Sequence, residues 1–218
     1  MSDVDLAHPA LCEARAVARP GRPRTVSEQR RKSLLIDAAE AVFLERGYHA
    51  STMDDVAQQA GMSKKTVYQV FTAKAALFEA LLIDRLGMLT MPIEEDGLPL
   101  AESLLELLVR LGNFVLSPKQ VALLRLMVAE GRRSPELVEA LKRLEIGRGR
   151  GPLERWFAHK RDVGQLDIAD PQENASIAFG MALGEFWCAS LLNIVPRLTE
   201  AEIRARARRC VPLLLRLG

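Results

Sequence analysis

The run Ser63-Lys64-Lys65-Thr66-Val67-Tyr68-Gln69 gathers side chains of the kinds that grip a nucleic acid. Ammonium groups at Lys64 and Lys65 can meet phosphate or the O6/N7 edge of guanine, and a Gln69 carboxamide matches adenine. The hydroxyls of Thr66 and Tyr68 suit phosphate oxygens, and the Thr66 methyl also fits against thymine. Taken alone, two lysines are equally explained by a solvated helix face, and Tyr68 and Phe71 by a core. The order of the pieces favours the nucleic acid: helix, glycine turn at Gly61, then hydroxyl, two lysines, threonine and tyrosine.

Such a row needs a scaffold helix, a tight turn and a second helix whose first residues reach base edges. Ser27 is placed to cap a helix ending at Arg46, with Gly47 as its stop. Its apolar residues Leu34, Leu35, Ala38, Ala39, Val42 and Phe43 fall on one face. Ser51 or Thr52 caps a second helix reaching Ala60. Gly61 supplies the turn, because glycine enters a left-handed backbone geometry without steric cost. Ser63 then caps a third helix over 64–70. Val56, Ala57, Ala60 and Val67 are the small or apolar residues that would lock these helices together. A fourth helix begins near Thr72 or Ala73 and carries Leu77, Phe78, Leu81 and Leu82. Thr52 and Lys74 sit at helix starts, where backbone N–H groups attract phosphate.

The net charge of +2 says little about partners, but its distribution says more. Between Arg15 and Lys32 seven Lys/Arg face a single acid, Glu28. Residues 1–25, with Pro9, Pro20, Gly21 and Pro23, read as a flexible basic arm. Arg22 and Arg24 can enter a minor groove or follow phosphates; the alternative is a solubilising tail.

Residues 26–82 resemble the N-terminal domain of the TetR/AcrR family of bacterial transcriptional regulators. The resemblance rests on Ala38-Ala39, Val42-Phe43, Gly47-Tyr48 and Ser51-Thr52, on the stretch DDVAQQAGMSKKTVYQVF, and on Lys74 with Leu77-Phe78. It implies that Thr52, Lys64, Lys65, Thr66, Tyr68 and Lys74 approach double-stranded DNA. It also implies a homodimer on a palindromic operator, with a ligand cavity in the remainder of the chain. Val70, Ala73 and Ala75-Ala76 depart from the residues usual in the family, which bears on the choice of operator.

The rest of the chain reads as helix throughout. Ser117-Pro118, Ser134-Pro135 and Asp170-Pro171 are cap-then-proline starts, and Thr199 caps a last helix in which Pro212 removes one backbone bond. No segment shows the two-residue alternation of a strand. The expectation is therefore an all-α chain: a helix-turn-helix domain over 26–72, then a helical effector-binding and dimerisation domain over 73–218. Leu107, Leu111, Phe114, Met127, Trp156 and Phe179 are candidates for lining an apolar pocket, or simply for core. Ala178, Met181, Ala182 and Ala189, with Ile203, Ala207, Val211 and Leu214, form small or apolar stripes on the last two helices. These stripes fit a two-fold, four-helix interface, with an intramolecular core as the alternative. Within a weaker resemblance to one TetR subgroup, Arg125 and Glu130 would pair with neighbouring helices.

Other chemistries find little support. No Ser/His/Asp, Cys/His or paired-carboxylate arrangement indicates catalysis, so neither an enzyme nor a cofactor is expected. His8, His49 and His159 are too scattered for a metal. Cys12, Cys188 and Cys210, odd in number and widely spaced, suit free thiols in a reducing compartment; Cys188 and Cys210 read as buried packing thiols, with oxidant sensing as the alternative. GRGRG at 147–151 lacks the strand-loop-helix setting of a phosphate cradle. No apolar run reaches the roughly 18–20 residues of a membrane span, and with Asp3, Asp5 and Glu13 and no apolar h-region near the N-terminus, a signal peptide is not expected there. A cytoplasmic chain is the expectation. The rivals are a regulator of the same fold without an effector, an activator, and a helical carrier or enzyme for an apolar small molecule.

Overall fold

Hydroxyl and carboxylate side chains start most of the helices. In the computed structural model, which describes residues 27–87, 97–143, 151–194 and 198–216, Ser27, Thr52, Ser63, Ser117, Asp170 and Thr199 each accept a hydrogen bond from a backbone N–H of the first turn that follows. Each removes one of the four N–H groups that a helix start leaves without an internal partner. The helices are α1 (Glu28–Arg46), α2 (Met53–Gln59), α3 (Lys64–Val70), α4 (Lys74–Leu86), α5 (Leu100–Val115) and α6 (Pro118–Glu130), then α7 (Pro135–Arg143), α8 (Gly151–Asp162), α9 (Pro171–Phe179), α10 (Glu185–Leu191) and α11 (Glu200–Leu214). No strand occurs among the described residues, and no single helix among them is long and apolar enough to cross a membrane. Arg22, Arg24, the 1–25 arm and most of the GRGRG run lie outside the described residues.

Two hydrophobic cores form among the described residues. The first joins α1, α2, α3 and α4 through Leu35, Phe43, Val56, Val67, Phe78 and Leu81, and extends into Leu126 of α6 and Leu137 of α7. Three rings sit at its centre, with Tyr48 lying 5.3 Å from Phe43 and 5.2 Å from Phe78. The second core packs α5, α8, α9 and α11 around Leu104, Leu108, Trp156, Phe157, Ala178 and Ala207. The Trp156 indole N–H donates to Ser103 Oγ at 2.9 Å, so its one polar atom is satisfied inside.

This division bears on two expectations. Met127 belongs to the first core, whereas Leu107, Leu111, Phe114, Trp156 and Phe179 all meet the second. Helical spacing gives the face a residue occupies, not which neighbour covers it. Met127 thus packs with a different set of side chains from the other five candidates. Of the dimer candidates, Ala178, Ala182, Ile203, Ala207, Val211 and Leu214 are buried inside this single chain. α11 lies along α5, and its apolar stripe is consumed there, so those six side chains are not available to a second copy. Met181 and Ala189 remain partly exposed.

The small residues serve that close crossing. A methyl added at Gly112 of α5 would stand 2.6 Å from Ile203 Cγ2 and 2.9 Å from Leu183 Cδ2. Gly112→Val is expected to cost about 1–3 kcal/mol by overpacking and to lower Tm by several degrees in a thermal melt. Gly180→Ala is the control, since a methyl there meets nothing within 4 Å.

Residues Gly180–Gly184 form a π-helical segment between α9 and α10 where the sequence reads as one unbroken helix. The Met181 carbonyl accepts from Arg206 Nε at 3.2 Å and from Cys210 Sγ at 3.6 Å, both on α11. α11 itself continues through Pro212 to Leu214. Of the cysteines in the described residues, Cys210 is buried and its thiol is pushed up by burial, while Cys188 is exposed, contrary to the expectation of two packing thiols.

Candidate nucleic-acid interface

Gly61 turns the chain between α2 and α3 with φ +62°, a left-handed geometry that favours glycine. Its N–H and that of Met62 return to the carbonyls of Gln58 and Ala57, which closes the turn tightly. Val67, fully buried, and Phe71 then anchor α3 in the first core, where it packs against α1 and α2. With that face fixed inward, Ser63, Lys64, Lys65, Tyr68 and Gln69 are exposed and Thr66 is half-buried. Tyr68 keeps 43% of its surface in water, which leaves its ring and hydroxyl open to contact.

The row is not uniformly available. Lys64 Nζ binds Asp54 Oδ2 of α2 at 2.9 Å and lies 6.0 Å from the Tyr68 ring centroid. The hydrogen bond and charge of Asp54 raise the Lys64 pKa. Both partners are more than half exposed, so the pair contributes little and can be exchanged for phosphate. Lys65 makes no ion pair with any described residue. Ser63 Oγ accepts the Thr66 N–H at 3.1 Å and shares a proton with Thr66 Oγ1 at 2.8 Å, which leaves one of those two hydroxyl protons for an oxygen outside.

Two predicted contacts are engaged by partners within the chain. The Thr52 hydroxyl donates to Asp55 Oδ2 at 2.7 Å while accepting the Asp55 N–H at 3.1 Å. The Thr52 N–H goes to the same carboxylate at 2.8 Å, completing a capping box. The hydrogen bonds from Thr52 hold the Asp55 carboxyl below its ordinary value, helped by Arg46 at 2.6 Å. Thr52 thus keeps neither a hydroxyl proton nor its own N–H for DNA, and Asp54 and Asp55 make this helix start unfavourable to phosphate.

Lys74 departs further from expectation. Its ammonium donates to the carbonyls of Tyr48 at 2.7 Å, Ser51 at 2.8 Å and His49 at 3.3 Å, and sits 4.3 Å from the Tyr48 ring centroid. All three N–H donors are used, and desolvation by burial lowers its pKa, opposed by Glu136 and Glu130. Tyr48 is itself pushed up to about 12, chiefly by burial and then by Glu136. Lys74 is therefore a clamp on the α1–α2 loop. Sequence reasoning missed this because the bonds span 23 to 26 residues and use backbone carbonyls, which carry no sequence signature.

Residues 35–81 match the family model for bacterial regulatory proteins of the tetR family, and residues 102–217 match that for the C-terminal domain of AefR-like transcriptional repressors. The second match alone covers more than half of the chain. The chain belongs to the TetR family. A TetR-family chain of this kind is a helix-turn-helix DNA-binding regulator of transcription, and the family is not an enzymatic one. The HTH-type transcriptional regulator UidR of Escherichia coli (strain K12) is 29% identical over 157 residues, 70% of this chain and 76% of UidR. The HTH-type transcriptional activator FasR of Mycolicibacterium smegmatis is 49% identical over 59 residues, 27% of this chain and 26% of FasR. Among solved structures, the Flavonoid-responsive Regulator FrrA superposes with a TM-score of 0.72 at 28% identity, covering 87% of this chain and 97% of FrrA. Among the described residues, no group of three or more His, Cys, Asp or Glu side chains could hold a metal.

Proposed function

We propose that this TetR-family regulator acts in the cytoplasm as a homodimeric repressor, released from a palindromic operator by a hydrophobic or aromatic small molecule. The observation that carries the reading is the capped, water-exposed α3 row, of which Lys65, Tyr68 and Gln69 are presented outward by the burial of Val67 and Phe71. Two such helices spaced roughly 34–36 Å apart would enter successive major grooves. Similarity to FrrA, whose name states a flavonoid response, and to AefR-like repressors supports a small-molecule effector and repression. We place that ligand beside Leu107, Leu111, Phe114, Trp156 and Phe179, which share the second core, whereas Met127 packs in the first. The outer apolar side chains Leu192, Ile194 and Leu213, with Met181 and Ala189, are the surface assigned to the second copy.

Binding to duplexes selected from a random pool, followed by fluorescence anisotropy over a salt series, tests the reading. Lys65→Ala/Tyr68→Ala is expected to weaken the selected duplex at least tenfold. Removing one phosphate-neutralising lysine should reduce the salt slope by about one unit. Wild-type protein that selects no sequence would sink the proposal. The similarity to FasR, an activator by name, favours activation as the second reading, and a promoter fusion whose output falls on deletion of the regulator would establish it.

A further inference from the structure

Three features outside the α3 row compete for a role: the Glu40–Arg85 cluster, the exposed apolar end of α10, and the contacts of α6. The last carries furthest. Glu130, the final residue of α6, accepts the His49 N–H at 2.8 Å through Oε2. Its Oε1 lies so near Gly47 that a β-carbon there would stand 3.1 Å away. Gly47 (φ +81°) and His49 belong to the loop that delivers Thr52, the cap of α2. Lys74 takes the loop's carbonyls, and Glu130 takes one of its N–H groups.

Five residues earlier on the same helix, Arg125 donates from Nε to Leu191 O at 3.0 Å, and from Nη2 to Ser190 O. These are the last carbonyls of α10, which a helix end otherwise leaves without partners. α10 follows directly on the π segment, whose Met181 carbonyl is held by Arg206 and Cys210 of α11. At its start α6 is tied to α1 and α4 as well, by Lys119 to Glu40 at 3.1 Å and by Gln120 Nε2 to Arg85 O at 2.8 Å. One helix therefore bridges the C-terminal end of α10 and the entrance to α2.

We propose that Glu130 is the positioning residue of the DNA reader, and that Arg125, by fixing α6 to the end of α10, sets where Glu130 holds the α1–α2 loop. The route from α10 through α6 to the loop is contiguous in hydrogen bonds and does not itself include α4. It rests on the reading of α3 as the DNA-contacting helix. Arg125 is exposed and its hydrogen bonds go to residues 190–193, none to 47–70, so any effect of replacing it on that segment is transmitted through α6.

Hydrogen–deuterium exchange of the full chain, read by mass spectrometry, tests it with Glu130→Ala, Glu130→Gln and Arg125→Ala beside the wild type. Exchange in 47–61 should quicken on the order of tenfold in Glu130→Ala and clearly in Arg125→Ala. Glu130→Gln, which keeps an oxygen to accept the His49 N–H, should restore protection. Affinity for a selected duplex should fall in the same order, while affinity for random DNA and the salt slope stay put. Unchanged exchange in Arg125→Ala, or Gln performing no better than Ala, overturns the coupling. A wild-type protein that selects no duplex removes the DNA-reading assignment instead, and the exchange result still decides whether α6 couples to the loop.

Discussion

Phe78→Ala is expected to cost about 3–5 kcal/mol, because the site cannot collapse around a missing ring. Phe78 is fully buried, 5.2 Å from Tyr48 and 6.0 Å from Phe43 in centroid distance. Edge and tilted ring pairs contribute about 0.5–1.5 kcal/mol beyond their area, so removal of the shared member loosens both neighbours. Against a total stability of about 5–15 kcal/mol this consumes much of the margin. A circular-dichroism melt should show the loss, with selected-duplex binding disappearing over the same temperatures. Phe78→Leu, which refills most of the volume, should recover most of it. Equal melting of Phe78→Ala and wild type would remove the three-ring cluster as the centre of this core. The position matters for architecture too: Phe78 lies beyond the 26–72 unit expected from sequence, yet it holds up α1. Leu126 of α6 and Leu137 of α7 enter the same core. The folded support of the recognition helix therefore extends well past residue 72.

What could be read in advance was local. The caps Ser27, Ser63, Ser117, Asp170 and Thr199 lie within three residues of the N–H groups they satisfy, so short segments disclose them. The same holds for Gly61 and for the alternation of buried Val67 and exposed Tyr68 on α3. What could not be read joins distant segments. Nothing in the neighbourhood of Glu130 points to His49, 81 residues away. The stripe Ile203, Ala207, Val211, Leu214 would look the same whether it met another chain or, as found, α5. The π segment is hidden because one additional residue per turn barely disturbs an apolar pattern that continues on both sides.

Lys74 separates a structural clamp from a DNA contact most sharply. Lys74→Met keeps the apolar stem but removes three N–H donors. The Tyr48 carbonyl still accepts the Ser51 N–H at 3.2 Å, whereas the His49 and Ser51 carbonyls are left without the ammonium. Hydrogen bonds to charged groups are worth about 1.5–3 kcal/mol. Relief of the desolvation that lowers the Lys74 pKa offsets part of this. A net loss of about 2–3 kcal/mol follows, and at roughly 2–4 °C per kcal/mol for a chain of this size Tm should fall by about 5–10 °C. The salt slope of the protein that stays folded should not change, since Lys74 neutralises no phosphate. Lys65→Met is expected to do the reverse: an unchanged Tm and a slope smaller by about one unit. Lys74→Arg should recover only part of the stability, because a planar fork cannot point at three carbonyls around one ammonium position. A Lys74→Met protein that melts with the wild type yet loses a unit of slope would return this residue to the DNA face.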